Sequence, residues 1–167
     1  MFAIAAAAMM LFFGGLKSDA IACNAPGSDD LCTMINEVIS FAGTNFAEIQ
    51  GELDAEQTDM EEEDVFVTTK VLTGFNKGFV FPTFTEGKKK AQFWKVYDSK
   101  EASEEGLIAI ENELKGCLDI PHGYKNRVDS GIHFFTSTKV NLQIMTKTEM
   151  DDDGEDLFIV LLQVQRH

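Results

Sequence analysis

The first long pattern of apolar and polar residues along the chain has the period of a helix. Apolar side chains recur at steps of three and four residues from Leu31 through Phe46 to Ile49. This spacing places them along one side of an α-helix and leaves polar residues on the other side. Gly51 follows as a helix terminator. The pattern therefore predicts one amphipathic helix that ends near this glycine.

Residues 52–64 replace this periodicity with negative charge. Eight of these residues are Asp or Glu, and only Leu53, Ala55 and Met60 are apolar. A segment with so little apolar surface has almost nothing to bury. We therefore expect a mobile acidic loop.

Strand-forming residues dominate the next part of the chain. Val65–Leu72 is rich in β-branched residues, Phe79–Phe81 follows a turn with two glycines, and a third run extends from Ala91 to Tyr97. These features predict three strands, of which the first two form a hairpin. Phe93 and Trp94 fall on opposite faces of the third strand, so both faces of the sheet are expected to be partly covered.

A second helix is predicted from Ala102 to Leu118, because apolar residues again recur at helical spacing. Three more strands are predicted at approximately 131–137, 139–147 and 156–165. The last strand is apolar on both faces, which is typical of a strand in the middle of a sheet.

The order of these elements is α-β-β-β-α-β-β-β, and the second unit repeats the order of the first without similarity in residues. This order predicts an α+β fold with a largely antiparallel sheet of about six strands. Both helices are expected on one face of the sheet, as in a two-layer sandwich.

The other face of such a sheet needs a cover, and phenylalanines are the candidates. They either line that face as a binding surface or homodimer interface, or fill the core between the helices and the sheet. Period-two alternation alone leaves both alternatives open. The six residues are Phe75, Phe79, Phe81, Phe84, Phe134 and Phe135.

The first 22 residues have the pattern of an export signal. Phe2 to Phe13 carry no charge, and this run is too short to span a membrane as a helix. Ala20-Ile21-Ala22 is a small-x-small cleavage motif. We expect a signal peptide at residues 1–22, a single acidic α+β domain at residues 23–167, and a periplasmic or secreted location. A lipid anchor on Cys23, tethering the domain to the cell envelope, is the alternative.

The chain has three cysteines, and an oxidising compartment favours a disulfide between two of them. Cys32 lies at the start of the first predicted helix and Cys117 at the end of the second, so antiparallel packing of the helices would bring them together. The preferred pair is therefore Cys32 with Cys117, which leaves Cys23 as a free or lipidated thiol. A Cys23–Cys32 bond and unpaired buried thiols are the alternatives.

The charge balance restricts the partners. The chain has 28 acidic residues against 14 Lys and Arg, a formal net charge of -14. A nucleic acid would be repelled by this charge, so no nucleic-acid partner is expected. Another protein is the expected partner.

The sequence contains no motif that indicates catalysis. None of His122, His133 and His167 has a second metal ligand at a suitable spacing, so we expect neither a metal site nor a cofactor. The acidic run at residues 149–156 begins like a calcium loop, but Val160 stands where a bidentate carboxylate is required. A hairpin turn at Asp153-Gly154 explains the same residues, with weak calcium binding as the alternative.

These observations favour an exported, non-catalytic binding protein, such as an inhibitor, an immunity-type partner or an accessory subunit. One alternative is a carrier of a small apolar ligand in a cavity between the helices and the sheet. Another is an enzyme with a scattered site that uses His133, His122 and nearby acids.

Overall fold

The computed structural model describes residues 28–61, 63–118, 125–151 and 153–167, and these residues form three α-helices and eight β-strands. The predicted signal peptide, Cys23 and His122 lie outside the described residues. In chain order the elements are α1 (Ser28–Phe41), β1 (Gln50–Leu53), α2 (Ala55–Glu61), β2 (Phe66–Thr68), β3 (Lys77–Pro82), β4 (Lys89–Tyr97), α3 (Lys100–Leu118), β5 (Lys125–Asp129), β6 (Ile132–Thr136), β7 (Val140–Met150) and β8 (Asp156–Arg166).

All eight strands belong to one antiparallel sheet with the order β1-β2-β3-β4-β8-β7-β6-β5. The sheet consists of two four-stranded meanders, which meet where β4 pairs with β8. A long helix precedes each meander, so the second half repeats the element order of the first, apart from α2. The predicted α+β class and antiparallel sheet are confirmed, whereas the predicted numbers of six strands and two helices are wrong.

The two strands that the sequence pattern missed, β1 and β5, are the edges of the sheet. β1 has the sequence Gln-Gly-Glu-Leu and an irregular register with β2, and β5 has the sequence Lys-Asn-Arg-Val-Asp. Short, polar edge strands are common because they discourage pairing with another chain. Because these strands are polar, the sequence shows no alternation of apolar residues there.

The first helix ends earlier than its apolar period predicts. α1 stops at Phe41, a short 3-10 turn follows at Ala42–Thr44, and Asn45 and Phe46 then adopt positive φ angles of 55° and 61°. Residues in this left-handed region cannot continue a right-handed helix. Phe46 and Ile49 are nevertheless fully buried, so these two residues anchor the loop after α1 in the core.

The acidic segment is not a loop throughout, because α2 occupies residues 55–61. The Asp54 side chain accepts a hydrogen bond from the backbone N–H of Gln57 at 2.9 Å, which caps the helix. Glu56 lies in the first turn, where a negative charge interacts favourably with the helix dipole. Thr58 then accepts a bond from the Val65 N–H at 3.0 Å and holds the segment to the start of β2.

One face of the sheet forms the main hydrophobic core with α1 and α3. Ile35 of α1 and Leu114 of α3 are buried there against Phe93 of β4 and Leu162 of β8. β8 is apolar on both sides and lies between β4 and β7, so the prediction of a central last strand is confirmed.

Helix α3 packs closely on the sheet through a glycine. Gly106 faces Tyr97 at the end of β4, and a Cβ atom at position 106 would overlap the Oη and Cζ atoms of that tyrosine. Ser99 caps the helix by accepting a hydrogen bond from the Ala102 N–H at 3.1 Å.

The two long helices bring the preferred cysteine pair together. Cys32 lies in the first half of α1 and Cys117 in the last turn of α3, and their Cα atoms are 5.3 Å apart. This separation is within the usual range for a disulfide. The structure joins the two residues by a disulfide, in agreement with the preferred pairing.

Candidate functional site on the outer face of the sheet

The six candidate phenylalanines do not share one surface. Phe75 and Phe135 pack in the core on the helix side, where Phe75 contacts Phe93 edge to face with ring centroids 6.5 Å apart. Phe79, Phe81 and Phe134 lie on the opposite side of the sheet, which we call the outer face. Phe84 is fully exposed in the β3–β4 hairpin. Three of the six therefore belong to the outer face, and Phe84 stands close to it.

The strand register arranges the outer face in rows that cross six strands. The first row, from β3 to β5, is Phe79, Gln92, Gln163, Gln143, Phe134 and Arg127. The second is Phe81, Lys90, Gln165, Asn141, Thr136 and Lys125. Neither row contains a carboxylate, although the chain has 28 Asp and Glu residues.

Five side-chain amides occupy the middle of the two rows. We call this group the amide face; it consists of Gln92, Gln143, Gln163, Gln165 and Asn141. Gln92 donates to Gln163 at 2.9 Å, and Thr136 donates to Asn141 at 3.1 Å. Within the described residues, Gln143 and Gln165 have no hydrogen bond from their side chains. Because each amide has two donors and an acceptor, the amide face keeps bonding capacity for a ligand.

Aromatic rings and cations border the amide face. The Arg127 guanidinium lies 4.8 Å from the centre of the Phe134 ring, and the Lys90 ammonium lies 5.3 Å from that of Phe81. These distances are typical of cation–π contacts, which fix both the ring and the charge.

A pocket of about 360 Å³ opens at one end of the amide face. The β3–β4 hairpin forms one wall and the segment after α2 contributes Glu63, while Gln163 and Gln165 line it from the sheet. We call this cavity the hairpin pocket; its lining residues are Glu63, Pro82, Thr83, Phe84, Thr85, Lys90, Gln163 and Gln165.

Beyond the first row, the centre of the outer face is apolar. Trp94, Ile159 and Leu161 are buried there together with Phe79, whose ring centroid lies 5.0 Å from that of Trp94. The indole N–H of Trp94 is buried and has no hydrogen-bond acceptor among the described residues. A buried donor of this kind costs free energy unless it finds a partner. Trp94 is two residues from Gln92 on the same strand face, so its side chain borders the amide face.

The helix side of the sheet contains a charged cluster that sequence reasoning missed. Glu111 of α3 is buried, and its Oε1 atom lies 2.9 Å from both His133 Nδ1 and Lys115 Nζ. Glu111 occurs in a helical stretch with many acids, and only its position against β6 distinguishes it. His133 lies on the opposite side of the sheet from the amide face.

This environment changes the acidity of Glu111. Burial by itself would raise the pKa of the Glu111 carboxyl, but hydrogen bonds and positive charge from His133 and Lys115 outweigh it. The pKa therefore lies below its ordinary value of 4.5. A carboxyl group with a lowered pKa in the folded state stabilises the fold above its unfolded pKa, and this contribution is lost on acidification.

We expect the Glu111→Gln variant to test this contribution. At neutral pH it should lower the free energy of unfolding by about 1–3 kcal/mol, because it weakens a buried, charge-assisted network. The difference from the wild type should shrink as the pH falls below 4.5, since acid protonates Glu111 in the wild type too. Urea unfolding at a series of pH values measures both effects.

The exposed Glu105 on the same helix provides the matched control. Glu105→Gln removes the same charge without touching the cluster, so its effect on stability should be within about 0.5 kcal/mol. A difference for Glu111→Gln that stays constant or grows on acidification would contradict the assignment.

In the acidic hairpin between β7 and β8, one carboxylate of the turn binds the backbone of the turn. Asp151 accepts hydrogen bonds from the backbone N–H groups of Asp153 at 3.0 Å and Glu155 at 2.8 Å. Gly154 has a φ of 81°, as the predicted turn requires. Among the described residues, no group of three or more His, Cys, Asp and Glu is arranged to hold a metal ion.

Comparisons with protein-family models, with curated proteins and with solved structures find no match to this chain. In the part of the chain that the structure describes, no helix is both long and apolar enough to cross a membrane. The chemistry of the outer face is therefore the basis for a functional assignment.

Proposed function

We propose that this chain is an exported, non-catalytic binding protein that holds a polyhydroxylated ligand, a glycan chain, on the amide face. One observation carries the proposal: amides form the middle of two adjacent rows, aromatic rings border them, and no carboxylate interrupts them. This composition is unusual for the surface of a chain with a net charge of -14.

Amides suit the hydroxyl groups of a sugar. A hydroxyl both donates and accepts, and so does a primary amide, which can bond two neighbouring hydroxyls at once. Neighbouring strands lie about 4.8 Å apart, so the register presents these amides as a regular array. A ligand with repeated hydroxyl groups can contact several of them at once.

Aromatic side chains supply the second element of sugar recognition. The C–H groups on one face of a pyranose ring are apolar and pack against the face of an aromatic ring. Phe84 is fully exposed in the wall of the hairpin pocket and is available for such a contact. The pocket volume of about 360 Å³ is at the lower end of the range for small-ligand sites and is sufficient for one sugar unit.

The same pocket argues against hydrolysis of a bound glycan. Most glycoside hydrolases need two carboxyl groups that flank the scissile bond. Of the described residues that line the hairpin pocket, only Glu63 is acidic. The proposal is therefore one of binding without cleavage.

Export is supported by the first 22 residues and by the cysteines. The uncharged run from Phe2 to Phe13 and the motif Ala20-Ile21-Ala22 are typical of a signal peptide. Cys32 and Cys117 lie at disulfide distance, which fits an oxidising compartment. Lipidation of Cys23 would present the same binding face from the cell envelope.

The proposal predicts saturable binding of at least one glycan by the purified, oxidised protein. A glycan array identifies the ligand, and calorimetric titration then gives its affinity. We expect Phe84→Ala and Gln165→Ala each to weaken binding about five- to tenfold, because each removes one contact worth about 1 kcal/mol. Phe84→Ala should leave the free energy of unfolding unchanged, since the ring is fully exposed.

The matched control is Asn112→Ala, which removes an exposed amide from α3. Its affinity for the glycan should equal that of the wild type. The proposal fails if the array shows no ligand, or if Phe84→Ala and Gln165→Ala bind as tightly as the control. Loss of a polypeptide partner in the same two variants, without any glycan ligand, would instead assign the face to protein binding.

A further inference from the structure

A second cavity lies beyond the end of the sheet, where the C-terminal end of α1 meets the β6–β7 turn. Its volume is about 790 Å³. Ile39, Ala42 and Val140 provide apolar lining, and Thr138, Lys139 and Arg166 provide polar groups. We call this cavity the basic cleft. It shares no lining residue with the hairpin pocket.

The charge of the basic cleft differs from that of the rest of the protein. Among the described residues, neither Lys139 nor Arg166 forms an ion pair. None of the described residues that line the cleft is Asp or Glu, although acidic residues outnumber Lys and Arg 28 to 14 in the chain. Two cationic residues that form no ion pair among the described residues therefore line one cavity.

Local hydrogen bonds fix the backbone of the turn that carries Lys139. The Ser137 hydroxyl accepts bonds from the backbone N–H groups of Lys139 at 3.3 Å and Val140 at 3.1 Å, which shapes the turn. The backbone N–H of His167 donates to the Lys139 carbonyl at 3.1 Å and ties the end of β8 to this turn. The cleft is thus formed by groups with fixed backbones.

Arg166 is positioned but retains most of its bonding capacity. One Nη1–H group donates to the Gly43 carbonyl at 3.3 Å, beside the end of α1. A guanidinium has five N–H donors, so four remain for a ligand. Arg is suited to two parallel bonds with a carboxylate or a phosphate.

We infer that the basic cleft binds the oxyanion end of a small organic molecule whose apolar part packs against Ile39, Ala42 and Val140. The oxyanion is a carboxylate or a phosphate monoester, which share the chemistry that Lys139 and Arg166 recognise. This site is independent of the amide face and would accept its ligand whether or not a glycan is bound there.

Four probes test this inference by titration with the full, oxidised protein. Benzoate and phenyl phosphate carry the two oxyanions on an apolar ring, inorganic phosphate lacks the ring, and benzyl alcohol lacks the charge. We expect saturable binding of benzoate, phenyl phosphate or both, at least tenfold tighter than that of benzyl alcohol and weaker at high salt. Binding by one of the two aromatic anions alone identifies which oxyanion the cleft accepts.

Two charge variants connect the binding to the cleft. Lys139→Gln and Arg166→Gln should each weaken the binding of the preferred probe about tenfold, the size expected for a charge-assisted hydrogen bond. Lys77→Gln is the matched control, because Lys77 is exposed at the start of β3 and does not line the cleft. Its affinity should equal that of the wild type.

If Arg166 had only a structural role, Arg166→Gln would weaken binding and Lys139→Gln would not. A cation near the C-terminal end of α1 stabilises the helix, so Arg166→Gln alone could weaken binding through partial unfolding. Among the described residues, Lys139 donates no hydrogen bond to α1. Thermal unfolding of each free variant shows whether the fold is intact. Equal affinities of Lys139→Gln, Arg166→Gln and Lys77→Gln, or equal binding of benzyl alcohol and the anions, would overturn the inference.

Discussion

Removing the disulfide between Cys32 and Cys117 is expected to lower the free energy of unfolding by about 4 kcal/mol. The two residues are 85 positions apart, so the bond closes a long loop and restricts the unfolded chain. In the chain-entropy model, the stabilisation by a cross-link grows with the logarithm of loop length and reaches about this value here. For a domain of this size, such a loss lowers the Tm by on the order of 10 °C.

The measurement is chemical and thermal unfolding of the Cys32→Ala/Cys117→Ala variant beside the oxidised wild type. Cys23→Ser is the control, because it removes a thiol and leaves the pair intact; its stability should match that of the wild type. A large loss in Cys23→Ser, together with a small one in the double variant, would show that Cys23 takes part in the stabilising bond.

Two glycines of the same helix should respond in opposite directions to alanine. Replacing a helical glycine by alanine usually stabilises a protein by up to about 1 kcal/mol, because glycine loses more backbone entropy on folding. Gly116→Ala should show this gain, since no described atom outside the adjacent helix backbone lies within 4 Å of its added Cβ. Gly106→Ala should instead destabilise the fold by about 1–3 kcal/mol, because the methyl group overlaps Tyr97.

Urea unfolding of the two variants measures this difference of about 2–4 kcal/mol directly. Tyr97→Phe serves as a control for the contact. The Tyr97 hydroxyl is buried without a partner among the described residues, so its removal should not destabilise the protein. If both alanine variants gain stability, α3 does not approach Tyr97 as closely as the structure shows.

The sequence predicted the features that depend on local periodicity. The helical stripe from Ala102 to Leu118 corresponds to α3, and the two-sided apolar run at residues 157–162 corresponds to a central strand. The preferred cysteine pair followed from the positions of Cys32 and Cys117 at opposite ends of two helices. Each of these inferences needs only the spacing of neighbouring residues and the packing of two helices.

The sequence predicted the candidate site only in part. Alternation places Phe79 and Phe81 on one face of their strand, but the sequence does not reveal that β8 inserts beside β4. Without that pairing, nothing in the sequence indicates that Gln92 and Gln163, which are 71 residues apart, lie side by side. The six phenylalanines looked like one group because each is aromatic, and the register divides them between the two faces. Side-chain type left the face of each ring open, and the long-range pairing assigns it.

The junction between β4 and β8 has a consequence for assembly. It joins the two halves of the sheet through pairs from Lys90↔Gln165 to Tyr97↔Phe158. Taken alone, each half would present β4 or β8 as an open edge, and two copies that exchange halves would rebuild the same junction between molecules. The disulfide tethers α1 in the first half to α3 at the start of the second, which keeps the local concentration of each half for the other high. Reduced chains at high concentration are therefore the state in which exchange of halves between copies is most favoured.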